Sequence, residues 1–442
     1  MTEKSGKAMP EKVSGERSSK LLTQAGALVP STNWAGNIIF GAARVHRPSS
    51  IDSLRRIVAG SRRIRALGRG HSFSAIADTT DDLVLLDGLP ETVIIDPATL
   101  TATVPAAMTY TDLADELHRA GFALANLASI PGISIAGACA TGTHGSGNDQ
   151  RVLAAAVTGI QLVGPEGDLF ELRREVDRDT FRGSAVALGA LGIVTQLTLD
   201  IEPTYDMTQW VRLGIPLDEL ENRLNDVFSA GYSVSAFTNW LSGDAALWLK
   251  CRVDEPELMC ATGTAARHSV HPVPGMAPDL CTEQLGAVGP WHERLPHFRP
   301  TPVVGTGNEL QSELFVPRHF AQRAVVALRE IGHLVAPALL VSEVRTVRAD
   351  DLWLSPSYGR DSAAFHFTWI SDEATVLPAV AAIEERLMPL GARPHWGKIT
   401  TADARTVASL YERAPDFEQL SYDFDPTQKF RNDFVNGLFP IR

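Results

Sequence analysis

The spacing of apolar residues predicts a mixture of short helices and short strands along the chain. Apolar residues recur at helical spacing over 49–61, and again over 109–121, where Gly121 would end the helix. Strand-like runs occupy 63–67, 82–87, 92–96 and 197–203. Because helices and strands do not alternate evenly, the pattern predicts an α+β fold rather than a doubly wound parallel sheet.

Two later segments have a strand pattern that also carries polar residues. In LLVSEVRTV at 339–347, Glu343 and Arg345 are two residues apart and share one face of a strand. In AFHFTWI at 364–370, His366 and Thr368 share a face, with aromatic residues on the other face. A solvated sheet face would also show mixed polar residues. The aromatic residues favour an interior sheet, where polar side chains need partners.

Changes in composition along the chain predict four regions. Residues 1–28 are rich in Lys, Glu and Ser and predict a flexible tail. A strand ends at Pro203, which predicts a first domain over 29–203 and a second over 204–392, built on an antiparallel sheet with helices on one side. The segment 393–442 begins with RPHWGK and is expected to return to the first domain.

The composition is that of a folded protein and excludes several functional classes. Apolar residues make up 44% and charged residues 21%, with 40 basic against 52 acidic side chains and a net charge of −12. No basic stripe predicts nucleic-acid binding, and no run of about 18 apolar residues predicts a membrane span. The polar start has no apolar signal region, so we expect a cytoplasmic protein.

The cysteines do not predict a disulfide framework or a metal site. They are four in a long chain and form no CxxC pair: Cys139, Cys251, Cys260 and Cys281. HERLPH at 292–297 resembles a zinc-binding helix, but Pro296 stands where the second His is needed. We therefore expect no metal.

Three glycine-bearing segments are better candidates for a ligand site. In GRGHSF at 68–73, a strand runs into a turn whose successive amides can bind an anion, although Phe73 replaces the third Gly of a dinucleotide fingerprint. PGISIAGACATGTHG at 131–145 permits close backbone approach and is too poor in large apolar residues to predict a core helix. ALGALGIVTQLTL at 187–199 combines glycines with a strand.

These three segments resemble the FAD-binding domain of the vanillyl-alcohol-oxidase type. The resemblance narrows to the alditol (xylitol) oxidases and covers nearly all of the chain after the tail. It rests on these further segments: TNWAGN at 32–37, GMAPDLCTEQLG at 275–286, GPWHERLPHFRP at 289–300, LQSELFVPR at 310–318, WLSPSYGRD at 353–361 and RPHWGK at 393–398. It implies a two-domain flavoprotein with an FAD-binding domain and a substrate (cap) domain.

The resemblance also implies which residues hold FAD. His71 would carry the flavin covalently, and neutral imidazole is a suitable nucleophile for that bond. Cys139 lies in no pattern known for a second attachment and is interpreted as a small packed residue. The implied FAD-binding residues are Gly68, Arg69, Gly70, His71, Ser72, Phe73, Ser129, Ser134, Gly137, Ala140, Thr141, Gly142, His144, Gly145 and Ile193.

For the substrate, the resemblance implies a polyol site. The matching residues are Ser129, Glu343, Arg345, His366, Thr368 and Lys398. Such donors and acceptors suit a row of hydroxyl groups. Arg345 and Lys398 would stabilise developing negative charge, and His366 is a candidate proton acceptor.

The implied reaction is oxidation of the C1 hydroxyl of alditols such as xylitol and sorbitol, with dioxygen reduced to hydrogen peroxide, in a protein expected to be monomeric. One alternative is a sugar-1,4-lactone oxidase or dehydrogenase of the same fold. Another is a flavin-storing or carbohydrate-binding protein without turnover, which the polar residues Glu343, Arg345 and Lys398 disfavour.

Overall fold

The computed structural model describes residues 20–22, 28–255, 262–300 and 307–440. Its strands up to residue 203 are β1 (Lys20–Leu22), β2 (Leu28–Pro30), β3 (Arg44–His46), β4 (Ile64–Ala66), β5 (Asp82–Val84), β6 (Ile94–Asp96), β7 (Thr101–Pro105), β8 (Phe122–Ala123), β9 (Val157–Val163), β10 (Leu169–Arg173), β11 (Ile193–Asp200) and β12 (Glu202–Pro203). Those that follow are β13 (Asp206–Pro216), β14 (Ser233–Thr238), β15 (Asp244–Arg252), β16 (Thr264–Ala265), β17 (Gly289–Pro290), β18 (Glu309–Pro317), β19 (Leu339–Val347), β20 (Ser362–Ile370) and β21 (Arg393–Pro394).

The α-helices are short, and the sequence pattern locates the first two correctly. They are α1 (Ile51–Gly60), α2 (Tyr110–Arg119), α3 (Ile135–Ala140), α4 (Arg174–Ser184), α5 (Leu217–Phe228), α6 (Ala321–Glu330), α7 (Gly332–Val335), α8 (Glu373–Leu387), α9 (Ala404–Ser409), α10 (Ala414–Phe424) and α11 (Asp433–Leu438). Within the described ranges, no helix is both long and apolar enough to cross a membrane.

The first half of the chain forms two main sheets. Strands β3, β5 and β4 pair in parallel. An antiparallel sheet has the order β10-β9-β11-β7-β6. Helices α2 and α3 pack on this sheet, and the apolar core between them includes Val104, Leu113, Ile135 and Leu197.

The second half is built on one large antiparallel sheet in the order β16-β13-β15-β14-β19-β20-β18-β21, with β17 beside β13. Helices α5, α6 and α8 pack on one face of it, against alternate strand residues such as Val344, Phe365 and Phe367. The intervening residues therefore point to the opposite face, which these helices do not cover and which carries the candidate site. The predicted sheet, with helices on one side, is confirmed.

The C-terminal segment packs back onto the first half of the molecule. Val407, Tyr411, Phe417 and Val435 belong to the same core as the five-stranded sheet, although β21 pairs with β18 of the large sheet. These contacts support the predicted return of 393–442, and the limits of the four regions stay predictions.

The flexible tail predicted over 1–28 lies largely outside the described residues and stays a prediction, although β1 within it pairs with β2. One expectation, that the stretch 131–145 forms no core helix, needs correction. The stretch 131–145 does contain a short helix, α3, with Ile135, Ala138 and Cys139 buried in the core. Small side chains let this helix approach its neighbours closely.

Candidate active site

The glycine turn after β4 meets two other segments that the sequence singles out. A Cβ on Gly68 would lie 2.3 Å from the Ser134 side-chain oxygen, so this turn is in close contact with the start of α3. On its other side, the Phe73 amide donates to the Gly397 carbonyl at 2.7 Å. The turn therefore lies between α3 and the segment that carries Lys398.

The donors of this turn fit a phosphate-bearing cofactor such as FAD. Gly70 has φ +69°, which only glycine adopts without strain. Among the hydrogen bonds of the described residues, the amides from Gly68 to Ser72 donate to no protein group. Successive free amides in a turn can bind an anion, and the pyrophosphate of FAD is an anion.

His71 in this turn is held as a neutral ring. Its imidazole stacks on Trp34, with ring centroids 5.4 Å apart and an interplanar angle of 21°. Burial and, less strongly, the charge of Arg69 lower the pKa of His71 to about 4. At neutral pH the ring is therefore unprotonated, as a nucleophilic imidazole must be.

Several of the other predicted cofactor residues lie in or beside α3. Gly137, Ala140 and Thr141 are in α3 and its C-cap, and Ile193 packs in one apolar cluster with Ala136 of α3. Cys139 points into the core, where burial raises the pKa of its thiol to about 12. A buried thiol with a raised pKa agrees with the interpretation of Cys139 as a small packed residue.

A row of polar side chains crosses three neighbouring strands of the large sheet. Strand register sets Glu313 of β18 opposite His366 of β20, and His366 opposite Glu343 of β19. Arg345 follows two residues after Glu343 on the same face, and Thr368 follows two after His366. The sheet thereby brings together residues that are far apart in the sequence.

Glu313 lies at the centre of this cluster, with about 1% of its surface exposed. Its Oε1 accepts a hydrogen bond from Arg345 Nη2 at 2.6 Å and lies 3.0 Å from His144 Nε2. Its Oε2 lies 3.1 Å from Lys398 Nζ. One carboxylate thus binds two cations and holds together segments from both halves of the chain.

Burial and charge act in opposition on the ionisable groups of the cluster. Burial alone would raise the pKa of Glu313, but the charges of Lys398 and Arg345 outweigh it and hold that pKa well below the usual value. For Glu343 the same opposition ends with a lowered pKa, because of Arg345 and His297. Burial lowers the pKa of Lys398, against the opposite effect of Glu313.

The hydrogen bonds of His366 fix which nitrogen carries the proton. Lys398 Nζ lies 2.6 Å from His366 Nδ1, and His366 Nε2 lies 3.2 Å from Thr368 Oγ1. A lysine ammonium only donates, so Nδ1 accepts. Burial and the charge of Lys398 lower the pKa of His366 to about 4, so the ring is neutral and its proton is on Nε2.

Ser129 joins the cluster from the loop after β8. Arg345 Nη1 donates to its side-chain oxygen at 3.3 Å. Arg345 Nε is buried and makes no hydrogen bond within the described part of the chain. Buried polar atoms normally find partners, so this N–H leaves capacity for a bound hydroxyl group.

All six predicted substrate residues therefore come together, but the sequence interpretation missed several neighbours. Glu313 and Gln311 alternate in ELQSELFVP as Glu343 and Arg345 do in their strand, so the same signal was present. His297 lies in HERLPH, which the sequence interpretation considers only as a metal motif. Lys250, His297 and His395 carry no pattern that separates them from core or surface residues.

No metal centre appears in the described ranges, since they contain no group of three or more His, Cys, Asp or Glu side chains placed to bind one.

Comparison with protein families agrees with both halves of the site. A family model described as an FAD binding domain matches residues 42–173, and one described as D-arabinono-1,4-lactone oxidase matches 311–438. The chain is 45% identical over 411 residues to an alditol oxidase of Streptomyces sp., covering 92% of this chain and 98% of the relative. It is 26% identical to an L-gulono-1,4-lactone dehydrogenase of Mycobacterium tuberculosis, over 92% and 98% of the two chains.

Solved structures share the fold at low sequence identity. A cholesterol oxidase from B. sterolicum superimposes with a TM-score of 0.74 at 14% identity, covering 92% of this chain and 96% of the other. A chitooligosaccharide oxidase gives 0.71 at 14%, over 91% and 93%. The expected fold class, α+β with an FAD-binding domain and an antiparallel cap sheet, is confirmed.

Proposed function

This chain belongs to the alditol oxidase family, and from that premise we propose that it oxidises the terminal C1 hydroxyl of alditols such as xylitol and sorbitol to the aldose. Bound FAD would supply the acceptor for the hydride and pass the electrons to dioxygen, giving hydrogen peroxide. The observation that carries the proposal is the polar row Glu313–His366–Glu343, with Arg345 and Lys398 beside it, next to the glycine turn.

We propose that the cofactor is held by the turn and α3, and that it is attached through His71. The neutral ring, the free amides from 68 to 72 and the close approach of Gly68 to Ser134 support this assignment. A covalent link would also keep the cofactor fixed beside the substrate sheet.

The substrate residues would have distinct roles. Glu343 accepts from a substrate hydroxyl, while Ser129 and Thr368 donate or accept. Arg345 has a free Nε–H within the site, and together with Lys398 it would stabilise negative charge on the reacting oxygen.

The Lys398–His366 hydrogen bond suggests where that oxygen binds. In the present arrangement His366 has no free lone pair, because Nδ1 accepts from Lys398 and Nε2 carries the proton. We propose that the C1 hydroxyl inserts between these two groups, accepting from Lys398 and donating to His366 Nδ1. His366 then takes the hydroxyl proton, with the carboxylate of Glu313 close by at 3.8 Å.

A second candidate is a sugar-1,4-lactone oxidase or dehydrogenase, favoured by the family model over 311–438. Oxygen uptake and peroxide formation with xylitol, sorbitol and L-gulono-1,4-lactone separate the two. We expect peroxide from both alditols and much less from the lactone. Turnover of the lactone alone would overturn the proposal. A cytoplasmic location and a monomeric state stay predictions, which fractionation and light scattering would check.

A further inference from the structure

A chain of buried polar side chains lies behind Glu343, beyond the residues that the proposed function uses. His297 Nε2 lies 2.8 Å from Glu343 Oε1, and Lys250 Nζ lies 3.1 Å from His297 Nδ1. Lys250 comes from β15, and His297 from the loop that follows β17. Lys250 is fully buried, and His297 and Glu343 are each about 4% exposed.

These hydrogen bonds connect Lys250 through the His297 ring to Glu343. Lys250 donates to the carbonyls of Leu295 and, at 2.9 Å, Pro296, and its third N–H reaches His297 Nδ1. Burial lowers the pKa of Lys250 to about 7, so at pH 6 it is an ammonium, which only donates. At that pH Nδ1 accepts, and the single proton of a neutral ring is then on Nε2. Burial and the charge of Lys250 lower the pKa of His297 to about 4, which agrees with a neutral ring that donates to Glu343.

Packing and a backbone hydrogen bond hold the His297 ring in place. The rings of Phe237 and Trp248 meet it edge-on, with centroids 5.3 and 5.2 Å away. The His297 amide donates to the Ser129 carbonyl at 3.0 Å. One residue therefore positions two of the proposed substrate ligands, Ser129 through its backbone and Glu343 through its ring.

The two carboxylate oxygens of Glu343 therefore have different contacts. Oε1 is taken by His297, whereas Oε2 lies 3.6 Å from the unbonded Nε of Arg345. We propose that Lys250 and His297 are positioning residues that fix the Glu343 carboxylate, so that Oε2 is presented to a polyol hydroxyl. This inference rests on the proposed function, because it takes Glu343 as a substrate ligand.

A purely structural role is the competing explanation, since buried polar networks also stabilise folds. The two roles differ in what removing the hydrogen bond does to substrate binding in molecules that do fold. If a contact is equally strong in the substrate complex and in the transition state, its loss raises KM and leaves kcat nearly unchanged.

The kinetic test compares His297→Phe, which keeps a ring but cannot hydrogen bond, with His297→Gln, whose amide can donate to Glu343. Measured on purified holoenzyme normalised by flavin absorbance, His297→Phe should raise KM for xylitol on the order of tenfold. His297→Gln should restore most of the loss, and Lys250→Met should raise KM in the same direction. In a Glu343→Ala background, His297→Phe should have no further effect on KM.

Matched controls come from residues of the same kind elsewhere. Lys429 is another buried lysine that donates to carbonyls, those of Val58, Ala59 and Pro165. His292 lies in the same loop as His297 but pairs with Asp115 at 3.5 Å. We expect Lys429→Met and His292→Phe to leave KM unchanged, whatever they do to stability.

A second readout does not depend on turnover. With ¹⁵N-labelled histidine, the His297 signal, assigned by its loss in His297→Phe, should show the neutral Nε2–H form at pH 6. A wild-type protein without alditol oxidation would refute the proposed function, and this spectrum would still test the positioning. An Nδ1–H or charged ring would overturn the inference. So would equal KM in wild type and His297→Phe, or equal damage by Phe and Gln.

Discussion

Replacing Glu313 by glutamine tests the centre of the site, because the change removes one negative charge and keeps the shape. Glu313 binds Arg345 at 2.6 Å and Lys398 at 3.1 Å in a buried position. Breaking a buried ion pair by removing one partner costs about 3–5 kcal/mol, because the remaining charge is left uncompensated. We therefore expect Glu313→Gln to lower the free energy of unfolding at pH 7 by about that amount, measured by urea denaturation.

The loss should depend on pH in a defined direction. The folded-state pKa of Glu313 lies well below its unfolded value of about 4.5. The ionised carboxylate therefore stabilises the fold above pH 4.5, and this contribution disappears as the pH falls through the folded pKa. Glutamine does not titrate, so the stability difference between wild type and variant should be largest at neutral pH and shrink below about pH 4.5.

The pH dependence of activity should also change in Glu313→Gln, because the charge of Glu313 acts on the pKa of Lys398. Glu313 raises the pKa of Lys398 against the effect of burial. Without it, Lys398 loses its proton at a lower pH, and the alkaline limb of kcat/KM for xylitol should move to lower pH.

Glu384, a buried carboxylate that makes no ion pair with any described residue, provides the control. Glu384 accepts from the Thr400 hydroxyl at 2.5 Å and the Thr401 amide at 3.0 Å. Glu384→Gln should leave the alkaline limb in place. If Glu313→Gln also leaves it in place, while its flavin content is normal, the electrostatic role assigned to Glu313 is wrong.

The remaining predictions concern the proposed cofactor and substrate residues. Wild-type protein denatured in acid should keep its yellow colour and His71→Ala should release its flavin; release from the wild type would disprove the covalent link. Glu343→Ala and Arg345→Ala should each lower kcat/KM for xylitol by about ten- to a hundredfold, and near-normal kinetics in both would count against substrate contact. Lys398→Met should slow flavin reduction by xylitol by at least about a hundredfold in stopped-flow absorbance, whereas a raised KM alone would assign Lys398 to binding.

Local sequence patterns determined much of this protein. Helical spacing located α1 and α2, and alternation located β19 and β20, because burial on one face imposes a period on the residues of each element. The i, i+2 spacing of Glu343 and Arg345 also placed both on one face of a strand, and the glycines at 68–73 marked a turn that can approach a ligand closely.

Tertiary structure decided which of these residues become neighbours. Glu313, His366 and Glu343 become neighbours only through the order β19-β20-β18, which no local period specifies. The same applies to His297 and Lys250. In the sequence they are an ordinary loop histidine and strand lysine, and only the folded sheet and the loop after β17 place them beside Glu343. Hydrophobic periodicity records which face of each element is buried, whereas pairing order and burial of charge depend on contacts between distant segments, and those contacts set the pKa values on which the chemistry rests.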